Sequence, residues 1–144
     1  MTIDAEDTVE YTLAKVAGDL MNRPVVAASR TTTARDLAIQ MFLGGFSGMP
    51  VTDRDGKITG LVTEYDIIHA ACQGKTLATT TAQEIMTYDV ISVDVETPIE
   101  EVVEILEAER ILRVPVTERG RLVGVISRPD VLRWLVEPNF MTFA

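Results

Sequence analysis

The stretch Met49-Pro50-Val51-Thr52-Asp53-Arg54-Asp55-Gly56-Lys57-Ile58-Thr59-Gly60-Leu61-Val62-Thr63-Glu64-Tyr65-Asp66 decides the fold, because the chain writes it twice. The second copy is Val114-Pro115-Val116-Thr117-Glu118-Arg119-Gly120-Arg121-Leu122-Val123-Gly124-Val125-Ile126-Ser127-Arg128-Pro129-Asp130. Met49-Pro50-Val51-Thr52 stands 65 positions before Val114-Pro115-Val116-Thr117; one deletion in the turn makes the offset 64 for Gly60 and Asp66 against Gly124 and Asp130. Working outward, Asp19-Leu20-Met21 recurs as Glu84-Ile85-Met86, and Val25-Val26 as Val90-Ile91. A fixed period of this kind marks a repeat architecture.

Each copy reads as β-α-β-β-α. A short apolar strand opens it, Val25–Ala28 or Val90–Val93. A helix follows. In the second copy Thr97 is the expected N-cap, with Pro98 in the first turn and Glu100 completing a capping box. Ile99, Val102, Val103 and Leu106 then share one face, as do Ala34, Leu37, Ala38 and Met41 in the first copy. Pro50 and Pro115 cannot donate to a sheet ladder, so a strand start, an edge or a bulge is expected there. Gly56 and Gly120 close turns that call for positive φ. A further strand leads to a closing helix from Glu64 or Arg128. A unit of this size is marginal alone, so the two copies are expected to pack together through their sheets as one α/β (α+β) fold. The predicted layout is an acidic N-terminal helix over 1–15, a first repeat over 16–71, a linker over 72–80, a second repeat over 81–135 and a tail over 136–144.

Bulk properties exclude several functions. A net charge of −9 repels duplex nucleic acid and anionic lipid, so neither is an expected partner. The N-terminal stretch carries Asp4, Glu6, Asp7 and Glu10 where a secretory leader wants basic and then apolar residues, and no apolar run is long enough to span a membrane. Cys72 is the one cysteine and His69 the one histidine, which fits a reducing, cytoplasmic setting and leaves no thiolate/imidazole metal site. Gly74-Lys75-Thr76 looks like the end of a phosphate loop, but His69 stands where the first glycine belongs and a helix precedes it. No nucleophile–base pair or opposed carboxylates emerge, so no enzyme and no catalytic cofactor are expected.

The motif Gly60-x-x-Thr63-x-x-Asp66, repeated as Gly124-x-x-Ser127-x-x-Asp130, supports two readings. In one, the hydroxyl caps a helix and the carboxylate answers it. In the other, the helix N-terminus seats a phosphate, the hydroxyl donates to it, and the carboxylate accepts both hydroxyls of a ribose. Gly60 and Gly124 leave room for something to approach the strand closely.

The doubled unit resembles the CBS domain pair, or Bateman module, from about Val16 to Leu135. The marks are the acidic-hydrophobic-Met opening, the hydrophobic-Pro-Val strand and the Gly-hydrophobic-x-Ser/Thr-x-x-Asp close, all twice and in register. The resemblance implies clefts for AMP, ADP, ATP or S-adenosylmethionine and association into homodimers. It assigns phosphate contact to Thr63 or Ser127 and ribose contact to Asp66 or Asp130. It draws the adenine slot from the opening of the opposite repeat, pairing Ser127 and Asp130 with Asn22, Val25 and Val26, and Thr63 and Asp66 with Thr87, Val90 and Ile91. Arg128 can reach a phosphate where the first copy has the repelling Glu64, which favours the Asp130 cleft for a phosphorylated ligand. The function implied is an adenosine-nucleotide sensor acting on an unidentified partner protein. The alternative is a dimerising scaffold with vestigial clefts.

Overall fold

The computed structural model describes residues 14–23 and 25–143, with side chains as far as Val136. The expected N-terminal helix over 1–15 lies almost wholly outside the described residues. The elements are α1 (Ala17–Leu20), α2 (Ala34–Gly44), β1 (Gly48–Thr52), β2 (Ile58–Thr63), α3 (Glu64–Cys72), α4 (Ala82–Ile85), β3 (Val93–Asp94), α5 (Ile99–Glu109), β4 (Arg113–Glu118), β5 (Arg121–Ser127) and α6 (Arg128–Phe143). The mixed α+β content, repeated in tandem, is the expected class.

The chain forms two compact units. One holds β1 and β2 and comprises residues 25–91 and 120–122; the other holds β3 and β4, with the rest of β5, and comprises 14–23, 92–119 and 123–143. Their boundaries do not follow the sequence repeats. The opening of the first repeat, α1, belongs to the β3–β5 unit, and the opening of the second, α4, to the β1–β2 unit. The cores repeat this exchange. Ala17 is fully buried among Val102, Val114, Val116 and Ile126, and Ala82 among Leu37, Val51 and Val62. The borrowed segments thus contribute fully buried side chains to each core and cover apolar surface of the sheet they join.

In the β1–β2 unit the strands pair antiparallel, Val51 opposite Gly60, with a bulge between Val51 and Thr52. Met49 and Val51 point inward with the period of two a half-buried strand requires. Thr33 caps α2 by accepting from the Asp36 N–H at 3.1 Å, and Gly45, at φ 71°, ends that helix in the left-handed region. In the β3–β5 unit the strand order is β3-β4-β5. On α5, Ile99, Val102 and Leu106 are buried and Val103 half-buried, the face the spacing predicts. Gly56 and Gly120 take φ 81° and 79°, as their turns require.

Three local expectations need correction. The opening strands are much shorter than predicted. Only Ala28 bridges to Val51 in the first repeat, and only Val93–Asp94 forms a strand in the second. The prolines explain this: Pro50 lies in β1, an edge of its two-stranded sheet beside the Val51/Thr52 bulge, as expected, whereas Pro115 lies inside β4, the middle strand of its sheet. The Pro50 carbonyl accepts from Ala28 N–H at 2.9 Å. Its ring nitrogen lies along the same edge with no hydrogen to give, so the parallel ladder stops there. Finally, Thr97 does not cap α5. Its Oγ1 accepts from the Asp94 N–H at 3.1 Å within a turn, and the cap position falls to Pro98.

Candidate functional site: two hydroxyl–carboxylate caps

In the β3–β5 unit, β5 runs directly into α6 and brings Ser127 to the junction with Asp130 one turn on. Both the backbone N–H and the Oγ of Ser127 donate to Asp130 Oδ2 at 2.8 Å. An ionised carboxylate only accepts, so the hydroxyl proton belongs to this bond. A third donor arrives from far along the chain: Asn22 Nδ2 reaches the same Oδ2 at 2.7 Å. Asn22 is held in place by its backbone, which exchanges hydrogen bonds with Val125 at 2.9 and 3.2 Å. Asp130 is half-buried and Asn22 exposed.

The β1–β2 unit builds the same junction from β2 and α3. Thr63 N–H and Oγ1 donate to Asp66 Oδ2 at 2.8 and 3.0 Å, and Asp66 N–H returns a 3.3 Å bond to Thr63 Oγ1. Thr87 stands where Asn22 stands in the other unit, its backbone exchanging two 2.9 Å bonds with Leu61. Among the described residues its hydroxyl makes no bond to Asp66. In both junctions the hydrogen bonds of the carboxylate fall on Oδ2.

The full capping box is realised at Thr63 and Asp66 and its carboxylate half at Ser127 and Asp130, with the hydroxyl at both places turned to its own carboxylate. The close approach expected at the glycines is made by the protein itself. The Met21 side chain lies over Gly124, and Met86 lies over Gly60. Sequence reasoning named all four residues without linking them; the link was available in the offset, which aligns Met21 with Met86 as it aligns Gly60 with Gly124.

The remaining expected residues divide between the units. Val90 and Ile91 fall in the β1–β2 unit with Thr63, Asp66 and Thr87. Val25 and Val26, expected beside Asp130, also belong to the β1–β2 unit. None of these four is core: Val26 is 44% and Ile91 36% exposed, with Val25 and Val90 half-buried. Arg128 does not extend freely. Its backbone N–H donates to Leu112 O at 3.1 Å and its Nε to Ile111 O at 3.0 Å. Its side chain lines an open groove of about 450 Å³ between α5 and α6, with Leu106, Glu107, Arg110, Val131 and Leu132. That groove left no mark in the sequence, because its lining reads as the edge of an ordinary amphipathic face.

Two units, each closed by a hydroxyl–carboxylate pair at a helix start and each borrowing an opening from the other repeat, define a tandem-repeat module. The family model for the CBS domain matches residues 16–72 and 82–137. The chain belongs to the CBS domain family.

Its sequence is 30% identical over 123 residues to the protein MK0525 of Methanopyrus kandleri, covering 84% of this chain and 62% of that one. It is 30% identical over 128 residues to Hypoxic response protein 1 of Mycobacterium tuberculosis, covering 88% and 90%. The chain thus spans less than two thirds of the first relative and nearly all of the second. The crystal structure of Hypoxic Response Protein I, which holds two coordinated zinc ions, superposes with a TM-score of 0.75 at 29% identity over 82% of this chain and 97% of that one. Among the described residues of this chain no three His, Cys, Asp or Glu side chains group as a metal site. The CBS domain pair of MJ0100, in complex with 5-methylthioadenosine and S-adenosyl-L-methionine, superposes with a TM-score of 0.73 at 27% identity over 85% and 96%. Among the described residues no helix is long and apolar enough to cross a membrane.

Proposed function

We propose that the chain is a non-catalytic regulatory module that binds adenosine nucleotides at its two hydroxyl–carboxylate caps. One observation carries the reading. A half-buried carboxylate is held by its Oδ2 at the first turn of a helix, once at Asp130 and again at Asp66. Oδ1 is then the natural acceptor for the hydroxyls of a ribose, and the adjacent helix start, with its partial positive charge, for a phosphate. The adenosine ligands of the MJ0100 pair support the choice of class. AMP, ADP, ATP and S-adenosylmethionine all carry the required ribose. The helix start offers N–H groups to a phosphate directly, so the reading does not need the hydroxyl proton that Asp130 or Asp66 now holds.

Regulation follows if the ligand binds two arrangements of the protein with different affinity, since nothing else can shift their balance. The response would pass to an unidentified partner protein, in the cytoplasm, through a homodimer. A second reading, a dimerising scaffold with idle caps, is favoured by the apolar surface of α2 and α3. Phe42 is 86% and Leu43 78% exposed on α2, and Tyr65 and Ile68 are exposed on α3. Patches of that kind mark association surfaces.

Thermal unfolding separates the two. A ligand at a hundredfold excess over its Kd adds about 2.7 kcal/mol to stability. The sensor reading expects AMP, ADP, ATP or S-adenosylmethionine to raise the melting temperature, and Asp130→Ala or Asp66→Ala to reduce the rise. A panel that moves nothing leaves the scaffold.

A further inference from the structure

The two caps are alike in backbone and differ in one borrowed side chain. Asn22 and Thr87 occupy equivalent positions, 65 apart, and each is pinned by a two-bond bridge to the strand that precedes its cap, Val125 or Leu61. The Met before each covers the matching glycine, Gly124 or Gly60. Asn22 reaches the carboxylate opposite at 2.7 Å and Thr87 does not reach its own. Asp130 Oδ2 therefore takes three donors and Asp66 Oδ2 two, both of the latter from Thr63. Swapping the carboxylate oxygens of Asp130 would thus break three charge-assisted bonds, one of them to a separate segment, against two at Asp66, both to Thr63. Oδ1 of Asp130 is fixed as the acceptor, with both lone pairs for incoming hydroxyls. Asp66 lacks this third anchor and keeps more freedom to rotate.

We infer that Asn22 is a positioning residue that gives the Asp130 cap its selectivity for a vicinal diol, so that this site distinguishes a ribonucleotide from its 2′-deoxy counterpart more sharply than the Asp66 site does. The inference rests on the adenosine-nucleotide reading above. A group held ready loses less freedom on binding, and the gain falls only on ligands that use it. A 2′-deoxy ligand presents one hydroxyl and collects only part of that gain.

The test is calorimetric titration of the full chain with AMP and with 2′-deoxy-AMP. Asp66→Ala silences the second site, so the Asp130 site is read alone. In that background Asn22→Thr copies the residue found at the other cap and keeps the backbone bridge. The expected result is a loss of about tenfold in the ratio of the two affinities, carried mainly by weaker AMP binding, with 2′-deoxy-AMP weakened much less. The reciprocal Thr87→Asn, with Asp130→Ala, should raise the ratio at the Asp66 site. A purely structural role for Asn22 would weaken both ligands equally. An unchanged ratio in Asn22→Thr, beside an unsubstituted Asn22 chain that binds AMP, overturns the inference alone. If the unsubstituted protein binds neither ligand, the nucleotide reading and the inference fall together.

Discussion

A Cβ placed on Gly124 would lie 2.8 Å from Cγ of Met21 and 2.9 Å from its Cβ, because the Met21 side chain rests on the bare strand backbone. Gly60 stands to Met86 in the same way, at 2.7 and 3.1 Å. These contacts are too short to survive, and they involve the root of the methionine side chain, which cannot swing aside as its tip can. Each glycine is thus the socket for the opening segment borrowed from the other repeat, and that segment carries Asn22 or Thr87 to its cap.

Gly124→Ala and Gly60→Ala should each destabilise by about 1–3 kcal/mol through overpacking, although alanine is ordinarily the better strand residue. Denaturant unfolding measures this. Combining Gly124→Ala with Met21→Ala should cost less than the sum of the single changes, since the pair shares one contact. Strict additivity would show that Met21 and Gly124 do not meet in solution.

At the end of α5, Arg110 holds φ 52°, a left-handed conformation that costs a residue with a Cβ. The first repeat has Gly45 at the equivalent position with φ 71°. Arg110→Gly should therefore stabilise by about 0.5–1 kcal/mol, the strain relieved outweighing the added freedom of the unfolded chain. A chemical denaturation midpoint that falls would contradict it.

Much of this was legible in the amino-acid sequence. The 65-residue offset exposed both copies, the buried face of α5 followed from the spacing of Ile99, Val102 and Leu106, and the turn glycines at 56 and 120 adopt the positive φ that their turns demanded. What failed was local competition. Val25–Val26 and Val90–Ile91 look like strands by composition, but a ladder needs donors on both edges, and Pro50 and Pro115 withhold them where the openings would pair. Thr97 looks like a cap until Asp94 claims its hydroxyl. The resemblance pairs Asn22 with Asp130 as two walls of one cleft, but it does not foresee the hydrogen bond between them. The two residues of that bond are 108 positions apart, and the bridge from Asn22 to Val125 together with the packing of Met21 on Gly124 sets the distance.

Asp19 offers a pH test of the α1 opening. Its Oδ2 accepts from the N–H groups of Lys15 and Val16 at 2.9 and 3.1 Å, and these bonds lower its pKa from the ordinary 3.8. A lowered folded pKa means the stabilisation is complete above 3.8 and lost as the pH falls through the folded value. Asp19→Asn should be modestly less stable than the parent at neutral pH, with a small gap because the group is largely exposed. The gap should close as the solution is acidified below pH 3.8. A gap independent of pH would mean that the backbone bonds do not depend on the charge.

The most direct test of nucleotide binding at the caps is an amide chemical-shift titration of the ¹⁵N-labelled chain with AMP. The account predicts that the largest changes fall on residues 124–130 and 60–66, with Asn22 and its side-chain amide moving alongside Asp130. Saturation with no change at either cap, or changes confined to the groove between α5 and α6, would contradict it.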